Sequence, residues 1–337
     1  MRHRYALPFV LLAFATQTQA ADYKVATRYA VGGAGGWDYP SLDSPAHRLY
    51  IARGDHVQIV DTTTGKEIAS IADTPGVHGV ALAPALGRGY ISCGKANVVK
   101  VFDLKTNAVV ASVPAGEVPD AIMYEPASQR VFAFNGRSHD ASVIDAKTNQ
   151  PVATIALGGK PEFAHDDGKG AVFVNIEDTA ELVAIDAKNA KVKARYKLPQ
   201  CEEPTGLALD TKHRRSFSTC GNKTLVVLDL DSGKAIANVT IGDGSDGAEF
   251  DASTQTIFSA NGEGTLSVIR EIDANQYAAQ PALATQKSAR TLVLDAATHR
   301  LYLPAAEFGP PDAEHKRGQM VKDSFSVLVV EPMQVKP

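Results

Sequence analysis

Apolar and polar positions alternate along most of this chain in short β-branched runs, such as Val57-Gln-Ile-Val-Asp61, Val99-Lys-Val-Phe-Asp103 and Val226-Val-Leu-Asp-Leu230. Runs of this length and period predict strands. The runs belong to a phrase of about 42 residues that occurs seven times, each copy opened by an aromatic: Tyr50, Tyr90, Phe132, Phe173, Phe217, Phe258 and Tyr302. A second marker, Asp61, Asp103, Asp145, Asp186 or Asp229, closes the third run of each of five copies. Gly65, Asn107, Asn149 and Gly233 stand four residues later, where a hairpin needs a positive φ. Four short strands per unit at this period predict an all-β, seven-bladed β-propeller.

The stretch from Tyr23 to Asp38 matches the last quarter of a repeat, the quarter that the seventh copy lacks. The N-terminal strand is therefore expected to complete the last blade and close the ring. Residues 21–337 read as one such domain, with each blade packing only on its neighbours.

Residues 1–20 have a basic start, an apolar stretch from Ala6 to Ala15 and a small-residue end at Ala20. That is the pattern of a secretory signal, too short to span a bilayer, and it predicts an exported, periplasmic protein with no membrane insertion. The chain carries 34 basic against 38 acidic residues, and without Arg2 and Arg4 the balance is 32 against 38. A mildly acidic protein argues against a general nucleic-acid binder. In an exported chain, Cys201 before the first strand of blade five and Cys220 after its second are expected at one end of the same hairpin, bonded as a disulfide. Cys93, at the matching place in blade two, is left as a buried, metal-facing or exposed thiol.

Repetition assigns most aspartates to turns. Asp61, Asp103, Asp145, Asp186, Asp229, Asp210, Asp251 and Asp295 recur at fixed registers and are expected to bind nearby backbone N–H groups. Gly242-Asp-Gly244-Ser-Asp-Gly247 matches a dinucleotide fingerprint in letters, but a strand-like segment follows it instead of a helix.

The informative residues break the repeat where each blade enters its innermost strand. These are Asp38, His78, Asp120, Glu162, Thr205, Asp246 and Arg290, which should converge on one axis at the top face. Such a ring suits a small polar ligand, and Asp38, His78, Asp120, Glu162 and Asp246 are candidate ligands for Ca²⁺, Mn²⁺ or Zn²⁺. The bland alternative is a set of solvated loop residues in a water-filled funnel, with Arg290 neutralising its acidic neighbours. Trp37, beside Asp38, either packs between blades or offers a stacking face. Blade seven carries a long loop, residues 305–324, with Glu307, Asp312, Glu314, His315, Lys316 and Arg317, expected on the same face.

The repeat resembles the YVTN-repeat (YncE-like) seven-bladed propellers of exported bacterial proteins. The resemblance rests on Tyr50-Ile-Ala-Arg53, Tyr90-Ile-Ser-Cys93, Phe132-Ala-Phe-Asn135, Phe217-Ser-Thr-Cys220, Phe258-Ser-Ala-Asn261 and the SVIDAKTNQPVATI segment. It implies a soluble periplasmic protein from a family without one shared chemistry. The expected function is a monomeric, non-enzymatic binding or scaffold propeller that holds a small polar ligand, a metal ion or another periplasmic protein. The competing reading is a lactonase-like metal-dependent hydrolase, with His78 as ligand or general base. No catalytic residue is assigned.

Overall fold

The computed structural model describes residues 23–311 and 318–333. The expected leader, and Asp312, Glu314, His315, Lys316 and Arg317 of the long loop, lie outside them. Seven antiparallel sheets of sequential strands form the blades. Blade two is representative, with strands Val77–Ala83, Arg88–Cys93, Val98–Asp103 and Val109–Pro114 running from the axis outward.

The repeat explains the packing. Each opening aromatic lies in a second strand and is enclosed against the neighbouring blade; Tyr50, Tyr90, Phe132, Phe217 and Phe258 are all 0% exposed. The closing aspartates do turn work, as in Asp61, whose Oδ1 accepts N–H bonds from Thr63 (3.0 Å) and Thr64 (2.7 Å). Those bonds hold the carboxyl below its ordinary value. Gly65, Asn107, Asn149 and Gly233 all adopt positive φ, between 58° and 70°.

Closure is as the register predicts. Tyr23–Ala30 pairs antiparallel with Ser326–Pro332, so blade seven takes its outermost strand from the start of the chain. Arg53 secures this joint. Its guanidinium is wholly buried, lies 3.5 Å from the centre of the Phe325 ring, and donates to Gln58 Oε1 (2.8 Å) and to the carbonyls of Gly32, Ala34 and Gly35. Gly35 runs so close beneath it, at φ +89°, that a Cβ there would lie 3.2 Å from the Arg53 carbonyl oxygen.

Blade six departs from the plan. Its third strand, Thr265–Asp273, is longer than the others, and its outer strand is split into Gln276–Ala279 and Leu283–Ala284. In blade five Cys201 and Cys220 are bonded, with Cα atoms 5.4 Å apart. Cys93 is the buried thiol among the three readings, pushed up to about 11 by desolvation. The Cys201→Ala/Cys220→Ala variant should lose ~3 kcal/mol, since the bond closes a loop of 19 residues. Urea unfolding with and without reductant measures that loss, and equal midpoints for both forms would contradict it.

Candidate ligand site at the channel entrance

The entrance residues reach the axis for a local reason. In blades two to six the pairing of first and second strands shifts register beside His78, Asp120, Glu162, Thr205 and Asp246, as between Val77 and Val80 or Pro119 and Ile122. Such a bulge re-aims the side chain of the unpaired residue. In blades one and seven, Asp38 and Arg290 precede the first strands, Pro40–Asp43 and Val293–Asp295, altogether. Neighbouring entrances are stitched by hydrogen bonds from Tyr39 N–H to His78 O (3.1 Å), Asp246 N–H to Arg290 O (3.2 Å) and Thr291 Oγ1 to Asp38 O (3.2 Å).

Five of the seven form an arc of alternating charge over five consecutive blades. His78 Nδ1 lies 2.7 Å from Asp38 Oδ2 and 3.6 Å from Asp120 Oδ1. On the other side, Arg290 reaches Asp246 Oδ2 at 2.7 Å and Asp38 Oδ1 at 3.7 Å. The flanking carboxylates hold the imidazolium up to about 8 against its own desolvation. Burial pushes Asp120 up to about 6, and Asp246 and Asp38 hold Arg290 above its usual value although burial opposes them.

The remaining two entrance residues turn elsewhere. Glu162 pairs with Lys160 Nζ (2.7 Å), yet burial and the nearby Asp120 raise its carboxyl. Thr205 Oγ1 donates to Ser245 O (2.9 Å) and ties blade five to blade six. Of the five candidate metal ligands, Asp38, His78 and Asp120 offer atoms within 4.8 Å of one another, whereas Glu162 and Asp246 each face a cation of their own.

Immediately below the ring the channel is stoppered. Tyr39 of blade one and Phe163 of blade four meet edge to face with ring centroids 5.0 Å apart. These blades are not neighbours, so the contact crosses the axis. At this level the other blades carry Gly79, Ala121, Gly206, Gly247 and Thr291, which leave room for the two rings. The Tyr39 phenol lies beneath Asp246, Glu162, Asp38 and Asp120 and is held well above its ordinary value by burial, then by those charges. Sequence reasoning missed this plug and Lys160. The signal for the plug was two large aromatics at a position where the other blades carry small residues.

Trp37 forms the rim. It packs against Phe325 (5.4 Å) and against Phe308 (5.9 Å), at the foot of the long loop, where Gly309 N–H bonds Gln319 O and Val321 N–H bonds Glu307 O. It also separates two hollows. One of about 540 Å³ is lined by Trp37, Asp38, His78, Lys95, Asn97 and Arg137 among others. The second, about 710 Å³, includes Trp37, Lys287, Arg290 and Phe308. Both fall within the ~300–1,000 Å³ of small-molecule sites.

No protein-family model matches the chain, and no curated protein matches it.

Proposed function

We propose that this protein is an exported, non-enzymatic binding propeller of the YVTN-repeat type, holding a small polar ligand that carries an anionic group. The observation that carries the reading is the plugged entrance. With Tyr39 and Phe163 across the axis, the funnel is a cup and not a pore. Each of its carboxylates already faces a cation, His78, Arg290 or Lys160, while Lys95, Arg137 and Lys287 line the flanking hollows beside the flat Trp37 ring. A carboxylate or phosphate on a small, partly apolar molecule complements that surface. The Cys201–Cys220 bond and the leader-like first 20 residues support export to an oxidising compartment such as the periplasm. Among the described residues no helix is long and apolar enough to cross a membrane.

The metal-dependent hydrolase reading draws on one observation, the proximity of Asp38, His78 and Asp120. Against it, Asp38 also faces the Arg290 guanidinium at 3.7 Å, so a fixed positive charge already stands beside this cluster.

Trp37 is the only tryptophan in the chain, so its fluorescence reports on both hollows. Titration with a panel of small carboxylates and phosphate esters should give a saturable change, weakened at least ~10-fold in Lys95→Gln/Arg137→Gln or in Lys287→Gln. A response to Mn²⁺ or Zn²⁺ that vanishes in Asp120→Asn, accompanied by ester hydrolysis, would move the assignment to the hydrolase.

A further inference from the structure

At the far end of the innermost strands, opposite the cup, the boundary of blades five and six breaks the repeat at a buried position. The residue that follows the end of the third strand's pairing is Thr62, Leu104, Ala146, Ala187 or Leu230 in blades one to five, and each passes its backbone N–H to a carbonyl of its own blade's first hairpin. Blade six makes the same backbone bond, from Glu271 N–H to Gln255 O, but with a carboxylate side chain that is 1% exposed.

That carboxylate faces two groups of blade five. Asp210, 3% exposed, ends the first strand Pro204–Asp210, and His213 lies in the turn that follows. His213 Nδ1 is 2.6 Å from Asp210 Oδ2 and 3.3 Å from Glu271 Oε1, and all three residues offer donor atoms within 4.8 Å of one another. Glu271 Oε2 is enclosed with no hydrogen-bond partner, and Asp210 Oδ2 makes no well-directed hydrogen bond despite the nearby imidazole. Arg215, paired with Asp210 across the hairpin, is engaged elsewhere: it holds Asp229 Oδ2 (2.5 Å) and the carbonyl of Ala274 (2.8 Å).

Two buried carboxylates with unmet acceptor capacity and one imidazole are a donor set that lacks its positive centre. We propose that Asp210, His213 and Glu271 form a divalent transition-metal site that clasps blades five and six together. The 3.3 Å between His213 Nδ1 and Glu271 Oε1 is the edge of a tetrahedron whose centre lies ~2.0 Å from each donor, the ligand distance of zinc. Asp210 has to withdraw from His213 by ~0.7 Å to take the third corner. His213 is partly exposed, so the fourth corner opens to water. Three protein donors are too few for calcium, which takes six to eight oxygens, whereas imidazole with carboxylates suits zinc or manganese.

The test is calorimetric titration of chelator-stripped full-length protein with Zn²⁺ and Mn²⁺, beside melting curves. Wild-type protein should take up one equivalent at this site and melt several degrees higher. Glu271→Leu installs the side chain that blades two and five carry here, so it should fold normally and bind at least ~100-fold more weakly. His213→Ala should behave likewise, and His78→Ala should retain the binding. Absence of binding in the wild type, binding undiminished in Glu271→Leu, or loss in His78→Ala alone would each overturn the site, the last by placing the ion in the cup.

Discussion

Replacing Arg53 with leucine lowers the unfolding free energy by about 3–5 kcal/mol. A buried ion pair is often exchanged for apolar residues without penalty, because both charges leave together. Here three of the four acceptors are backbone carbonyls, of Gly32, Ala34 and Gly35, and they remain when the guanidinium goes. Gly32 is half-buried and Ala34 and Gly35 are exposed, so water takes over part of the role and each lost bond costs about 1 kcal/mol, while the stacking on Phe325 is lost with them. Burial has already drawn the Arg53 pKa down to about 10, yet the group stays charged at neutral pH. Urea denaturation is the measurement; a loss below about 1 kcal/mol would show that water or Gln58 replaces the guanidinium. The damage should concentrate at the joint, so amide exchange in Tyr23–Ala30 should quicken before exchange in blades three to five.

The second large effect is on pH. Glu249 sits in the first strand of blade six opposite Phe258, and desolvation pushes its carboxyl up to about 8 despite an N–H bond from Leu294. Unfolding returns the group to its ordinary 4.5. Between those values the folded state holds the proton that the unfolded chain has released, so stability is greatest at the acidic end and drains away as pH rises. Asp120, raised to about 6, and His78, raised to about 8, act in the same sense. Turn carboxylates such as Asp61 and Asp103, held low by backbone N–H groups, oppose this only in acid, where protonation removes their contribution. Stability should therefore peak near pH 5 and fall by about 3 kcal/mol or more by pH 8.5. Glu249→Gln should flatten a large part of that slope. A melting temperature that climbs from pH 5 to 8.5 would contradict the assignment.

How far the sequence could be read depended on whether a residue's role repeats. The blades, the closing strand, the turn aspartates and the Cys201–Cys220 bond all follow from periodicity, since one period forces one geometry seven times. The entrance ring was legible for the complementary reason: a fixed address with changing side chains marks the place where the fold leaves chemistry free. What periodicity cannot convey is which neighbours pair once assembled. That Arg290 and His78 would share Asp38 depends on distances between adjacent blades, and that Glu162 would take Lys160, two residues earlier, depends on how the local loop turns. Tyr39 and Phe163 are 124 positions apart, and nothing local announces their meeting. Asp210 shows the converse. Its register marks it as a turn residue, and its Oδ1 does accept the Lys212 N–H at 2.9 Å, while Oδ2 faces His213. One carboxylate serves two purposes there, and the repeat reveals only the first.

Pairing Tyr23 with Pro332 has a temporal corollary. The strand Tyr23–Ala30 emerges long before its partner, whether from the ribosome or from an export channel, so blades one to six must persist meanwhile as an unfastened arc. Any chain halted short of residue 326 is left with two raw ends, which makes completion of the polypeptide itself the checkpoint for a durable product.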